Sequence, residues 1–232
     1  MISLNEPSIV FTFFILFSSM FYSDYDRLKI ANIFTRFIHG LGCIYYTLPL
    51  IRKNNYQISM IGTTEDYEEY KFIINRSISY FLWDTFALLI EEEKEKMVFI
   101  AHHLLTIVGI YSGIVCPENT YNIALGLLIG EITNPLHQIM DISKVIRYRN
   151  IKLETFYLMS FVLARGGCGI YALMTLINNI YNTYNYSLVS NECTYSYTIN
   201  IIVYILIIPL SFNWSHRKYR SINKYYAIEQ LK

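Results

Sequence analysis

Seven stretches of this sequence are apolar over lengths close to those a helix needs to cross a bilayer: residues 8–22, 33–51, 72–90, 97–116, 121–140, 155–177 and 197–214. A spanning helix takes about 20 residues, with a range of about 17 to 25. Hydrocarbon offers no water to the backbone, so such segments must close their hydrogen bonds internally. The separators are brief and polar, among them EEEKEK at 91–96 and the Pro117-Glu118-Asn119 turn. None reads as a domain linker, and no internal repeat or low-complexity tail interrupts the pattern. The expectation is an all-α, polytopic integral membrane protein with about seven transmembrane helices. The first stretch is the shortest. It lacks a basic start and a small-residue cleavage site, which favours an uncleaved span over a signal peptide.

Composition agrees, since only 16% of residues are charged against 53% hydrophobic, too few charges to cover a soluble surface. A net charge of +1 and the lack of a long basic block exclude nucleic acid as a partner. The four cysteines, Cys43, Cys116, Cys168 and Cys193, have no CxxC or other metal-type spacing, so no metal is expected.

Cytosolic loops carry the excess of Lys and Arg. With seven spans, one side collects 13 basic residues, from Arg27 and Lys29 through Lys144, Arg147, Arg149 and Lys152 to Lys232, and the other only Arg52, Lys53 and Lys71. This places the C-terminus in the cytosol and the N-terminus in the lumen. The Asn185-Tyr186-Ser187 sequon and the two cysteines Cys116 and Cys193 then fall on the oxidising side, which leaves a disulfide between them open. The compartment expected is an endomembrane of the endoplasmic-reticulum kind.

Ionisable groups inside the bilayer are costly unless they face a cavity or a partner, so each is by default a functional-site candidate. Arg36 and His39 lie in the second span, Arg76 and Asp84 in the third, and His102 and His103 in the fourth. Glu131 and His137 lie in the fifth and Arg165 in the sixth. At 1.5 Å per residue, His39, Asp84, His102 and His103 share one layer about 8 to 9 Å below the cytosolic boundary. Glu131 and Arg165 fall near the midplane, where an ion pair would neutralise both. Simpler readings stand beside these: Arg36 and Arg76 can snorkel to headgroups, and His39 can hydrogen-bond between helices. Adjacent histidines point about 100° apart, and Thr106 favours His102 on the cavity stripe. Glu131, Asn134, Gln138 and Asp141 recur on one helical face. Pro135 can kink that helix and free the Glu131 carbonyl. Gly166, Gly167 and Gly169 suggest a close helix contact.

The order Arg36-Phe-Ile-His39, Tyr80-Phe-Leu-Trp-Asp84, His102-His103-Leu-Leu-Thr106, then Gly130-Glu131-Ile-Thr-Asn134-Pro135 resembles the TLC domain of translocation-associated membrane proteins and ceramide synthases. The resemblance covers about residues 34–214. It implies a six-helix barrel around a lipid tunnel and gives His102 and His103 the place of the paired histidines that pass an acyl group from acyl-CoA to a sphingoid amine. Where the synthases carry His-Asp and a second Asp on the next span, this chain has Glu131 and Asn134-Pro135. That is nearer the branch of TLC-domain-containing transmembrane proteins. Residues 1–30 would then form an additional helix and a short loop, 31–214 the six-helix domain and 215–232 a basic cytosolic tail.

Two functions follow. In the first, His102 or His103 acts as general base or acyl acceptor, Asp84 orients it, and an acyl group moves onto a membrane lipid. Such a reaction needs no bound cofactor and takes acyl-CoA as co-substrate. His39, Glu131, Asn134, His137 and Arg165 would then bind substrate. In the second, the same polar layer grips a lipid headgroup without chemistry. A desaturase-like metal centre is a poor third, because it needs many more histidines than the five present. Membrane lipids are the expected partners, and oligomeric state is not readable.

Overall fold

The computed structural model of the chain describes residues 24–53, 64–90, 96–185 and 191–229. The stretch 8–22, residues 91–95 of the acidic separator and residues 186–187 of the sequon lie outside the described residues. Among those described, the protein is all-helical: α1 Asp24–Lys53, α2 Thr64–Ile90, α3 Lys96–Val115, α4 Thr120–Glu131, α5 Asn134–Val145, α6 Ile151–Phe161, α7 Gly169–Asn185 and α8 Asn191–Glu229. A 3₁₀ turn at Pro117–Asn119 leads into α4, and a π-helical segment at Val162–Cys168 joins α6 to α7.

Among the described residues, three helical stretches are long and apolar enough to cross a membrane by length and composition: Lys96–Val115, Ile151–Asn178 and Cys193–Ala227. Large apolar side chains stand exposed along the helices, among them Leu82, Phe86, Leu104, Val108, Leu163, Met174 and Ile205. A belt of this kind is covered by lipid rather than water. The remaining helices are more polar or too short. α1 and α2 carry Arg36, His39, Arg76 and Asp84, and the expected fifth span is broken in two.

That break has a local cause. Pro135 occupies the first turn of α5, where its missing N–H costs nothing, and α4 ends at Glu131. Each half is 12 residues, about 18 Å. α4 is apolar on nearly every side, which fits a helix enclosed by others. Tyr121, Ala124, Leu127 and Leu128 are buried, and α4 packs against α1, α2, α3 and α7. Ile73, Ile74, Ile78 and Phe81 of α2, Ile110 of α3, and Ile123 and Leu127 of α4 form one apolar core. A second, of Met140, Tyr157 and Phe161 with Trp214, ties α5, α6 and α8 together.

Elsewhere the connections are capped. α5 ends in a Schellman motif, with Tyr148 N–H donating to the Ser143 carbonyl and Arg147 N–H to that of Lys144. Arg147 takes the left-handed position with φ 59°. Asn150 accepts from Leu153 N–H at 3.1 Å and starts α6. Arg149 grips Glu154 through two bonds of 2.9 and 3.0 Å, and Lys218 of α8 approaches the same carboxylate at 3.2 Å. The Glu154 hydrogen bonds hold the Arg149 guanidinium above its ordinary pKa. α8 thus continues past Trp214 to Glu229 as one helix, anchored on the α5–α6 connection.

At the opposite end Cys116 and Cys193 are disulfide-bonded across 77 residues, fastening α8 to the start of the 3₁₀ turn. Gly40 sets the approach of α1 to α5, since a Cβ there would stand 3.0 Å from Pro135 Cδ and 3.2 Å from Asn134 Cβ. The proline ring cannot swing aside. Gly40→Val is therefore expected to cost about 1 to 3 kcal/mol by overpacking, read as a lower melting temperature of the detergent-solubilised protein, while Gly167→Ala, with open space at its Cβ, leaves it unchanged.

Candidate functional site

Two adjoining cavities run through the helix bundle. The first is bounded by Arg36, Asp84, His102, His103, Glu131, Asn134, His137, Gln138, Asp141, Tyr157, Arg165 and Trp214. It lies toward the end of the bundle where Lys96, Lys144, Arg149 and Lys218 gather. The second extends toward the disulfide between stripes on three helices: Gly109 and Ile110 on α3, Ile123, Gly126 and Leu127 on α4, and Val203, Tyr204, Ile207 and Ile208 on α8. Phe81, His102, Glu131, Arg165 and Ser211 line both. The polar and apolar chambers therefore meet at these residues.

In the polar chamber Asp84 is the hub. Arg36 Nε donates to Asp84 Oδ1 at 2.8 Å, Tyr80 donates its hydroxyl to Oδ2 at 3.3 Å, and His103 Nε2 lies 3.5 Å from the same oxygen. The Thr85 hydroxyl faces His103 Nδ1, also at 3.5 Å. His103 is therefore oriented from both sides of its ring. His102 is 5.7 Å away between ring centroids, and its ring makes no hydrogen bond to any described residue. It faces the junction of the chambers, while Thr106 bonds the His102 backbone carbonyl at 2.8 Å.

Glu131 and Arg165 meet at that junction without pairing. The expected Glu131–Arg165 ion pair is corrected here: Asn134 Nδ2 donates to Glu131 Oε2, and Arg165 donates to the carbonyl of Gly130. The break between α4 and α5 offers Arg165 a backbone acceptor, and it is the Gly130 carbonyl that it takes. The π turn carries Arg165 inward, as such segments do at functional sites. Its guanidinium lies 4.7 Å over Phe161, and its Nε has no hydrogen-bond partner. Gln138, 3% exposed, likewise presents Oε1 without a partner.

Of the residues expected from sequence, Asp84, His102, His103, Glu131, Asn134, His137 and Arg165 line the polar chamber. His39 does not. It stacks on Tyr80 at 3.6 Å, a contact between α1 and α2, and approaches Cys43 Sγ one turn along its own helix at 3.3 Å. Of the two readings open for Arg36, the structure takes the inward one, with the side chain turned to Asp84. His137 stacks on Tyr157 at 5.1 Å and points Nε2 at Asp141 from 3.6 Å. Gly166 lets Phe212 of α8 approach, since a Cβ there would meet its ring at 3.0 Å. Tyr80, Tyr157, Ser211 and Trp214 escaped the reading of the sequence, because aromatic and hydroxyl residues carry no charge to mark them out among lipid-facing ones.

Fold and site define a class: a helical integral membrane protein with a buried polar chamber that opens into an apolar one. The TLC domain family model matches residues 29–217, and the chain belongs to that family. No curated protein matches it.

Proposed function

We propose that the protein binds a membrane lipid with its headgroup among Asp84, His102, His103, Gln138 and Arg165 and an acyl tail in the apolar chamber. The observation that carries this is the pair of joined cavities, one polar and one apolar, inside a membrane protein. From Ser211 to Asn200 the apolar chamber follows eleven residues of α8, about 16 Å at 1.5 Å per residue. Half of a hydrocarbon core about 30 Å thick is nearly the same length. The tail of one leaflet fits that span.

The chemistry we assign is acyl transfer on this lipid, with acyl-CoA as donor. His102 takes the proton of the attacking hydroxyl or amine as the acyl carbonyl carbon gains that nucleophile, and returns it to the departing thiolate. Asp84 holds His103, the positioning residue beside it. Arg165 lines the junction, where its guanidinium would stabilise the oxyanion. The alternative is lipid binding without turnover, favoured by a polar chamber that already neutralises Asp84 internally through Arg36. The surrounding topology we propose is seven spans, six of them in a TLC-type barrel, with a lumenal N-terminus and the polar chamber opening to the cytosol of an endoplasmic-reticulum-like membrane.

The test is the cellular lipid profile of wild type, His102→Ala and His103→Ala at matched expression. His102→Ala is expected to abolish the change that wild type makes over empty vector. His103→Ala, which leaves the proton-transferring imidazole in place and removes only its positioning neighbour, is expected to leave a reduced but measurable change. Equal profiles for all three, with lipid still copurifying, would favour the binding reading.

A further inference from the structure

The apolar chamber is polar again at its far end. Asn122 and Asn200 line it, at 7% and 6% exposure, and their amides are held in a fixed direction. Ser196 Oγ donates to the backbone carbonyl of Ser112 at 2.8 Å, so it accepts from Asn119 Nδ2, also at 2.8 Å. Asn119 Oδ1 in turn accepts from Asn122 Nδ2 at 3.2 Å. Asn200 Nδ2 donates to Ser112 Oγ at 2.9 Å and to the Ser196 carbonyl at 3.1 Å. Backbone carbonyls only accept, which fixes each amide nitrogen toward the network and each remaining oxygen away from it.

Two acceptors are left over. Asn122 Oδ1 and Asn200 Oδ1 accept no hydrogen bond from any described residue. Glycines uncover the wall beside them: a Cβ at Gly109 would stand 3.3 Å from Asn200 Oδ1, and one at Gly126 would stand 2.9 Å from the Tyr204 hydroxyl. Tyr204 lies one helical turn from Asn200 on the same stripe of α8. Two outward-facing amide oxygens and a phenol therefore meet at the far end of an otherwise apolar chamber. Acceptors that open onto apolar walls without donors are unfavourable, so this end calls for a ligand group that can both donate and accept.

We propose that this end is a second binding site, for a hydroxyl carried at the remote end of the lipid's tail. The hydroxyl donates to an amide oxygen of Asn200 or Asn122 and accepts from Tyr204. The inference rests on the lipid reading above. It adds that the tail is terminally hydroxylated and that chain length is gauged by the distance to Asn200.

The experiment measures binding of saturated fatty acids of stepped length, and of their ω-hydroxy derivatives, to the full-length protein in mild detergent. Wild type is expected to bind one length of the ω-hydroxy series at least about tenfold tighter than the matching plain acid, because a site built around hydrogen bonds rejects the analogue that leaves them unmade. Tyr204→Phe, which keeps the ring, and Asn200→Leu should each bring that ratio toward one. Equal affinity of the two series at every length overturns the second site and leaves water as the partner of the amides, with the lipid reading intact. Absence of binding by both series in wild type overturns the lipid reading itself. Should Asn200→Leu fail to fold, Tyr204→Phe alone decides between these outcomes.

Discussion

Asp84→Ala is expected to destabilise the protein by about 3 to 5 kcal/mol, the loss seen when one partner of a buried ion pair is removed, and to deplete it from the folded, detergent-extractable fraction. Arg36 would then hold its charge between α1 and α2 without the carboxylate 2.8 Å from its Nε, and Tyr80 and His103 would lose the acceptor they share. The Asp84 side chain is only 5% exposed, so solvent screens little of this interaction. The discriminating measurement is a double substitution. Replacing a buried pair by apolar residues of similar volume is often neutral, so Arg36→Met with Asp84→Leu should recover most of the lost melting temperature, yet not lipid turnover. If Asp84→Ala melts with wild type, Asp84 is not the hub of this chamber.

The sequence announced this hub through depth. Asp84, His102 and His103 stand at one level on different helices, and residues at one level of a bundle can meet. Membership of the layer was readable because helical rise is constant; partners were not. Which neighbour Asp84 takes depends on helix rotation and azimuth, which set Arg36 and His103 toward it and turned His39 into a stack on Tyr80. The same limit explains Glu131 and Arg165: matched depth suggested a pair, but the broken turn at Pro135 supplied Arg165 with a nearer acceptor in the Gly130 carbonyl. Helix existence was legible from apolar length. The π turn was not, because the glycines of VLARGGC read as a close helix contact and do not specify which hydrogen-bond register the backbone takes. The apolar chamber was not legible, since Gly109, Gly126 and Ile207 carry no charge to mark them out and only the fold sets the three stripes facing one another.

Loss of the Cys116–Cys193 disulfide is the second large effect expected. It closes 77 residues of chain, and removing such a link frees the unfolded ensemble by about 4 kcal/mol in the chain-entropy account, with native disulfides typically contributing about 2 to 5 kcal/mol. The fold gives a second reason for a large effect. Cys116 precedes Asn119 by one turn and Cys193 precedes Ser196, and the Asn119–Ser196 hydrogen bond of 2.8 Å is the first link of the network that orients Asn122 and Asn200. Cys116→Ser or Cys193→Ser should therefore lower the melting temperature and also loosen the far end of the apolar chamber, reducing any preference among tail lengths. Cys43→Ser and Cys168→Ser, whose thiols are free, leave mobility on a non-reducing gel unchanged, whereas either linked cysteine shifts it. Because stable disulfides form in oxidising compartments, a membrane-impermeant thiol reagent should label Tyr195→Cys, at an exposed position beside the buried pair, from the lumenal side of sealed vesicles. Labelling from the cytosolic side would place the polar chamber's mouth in the lumen and reverse the proposed topology.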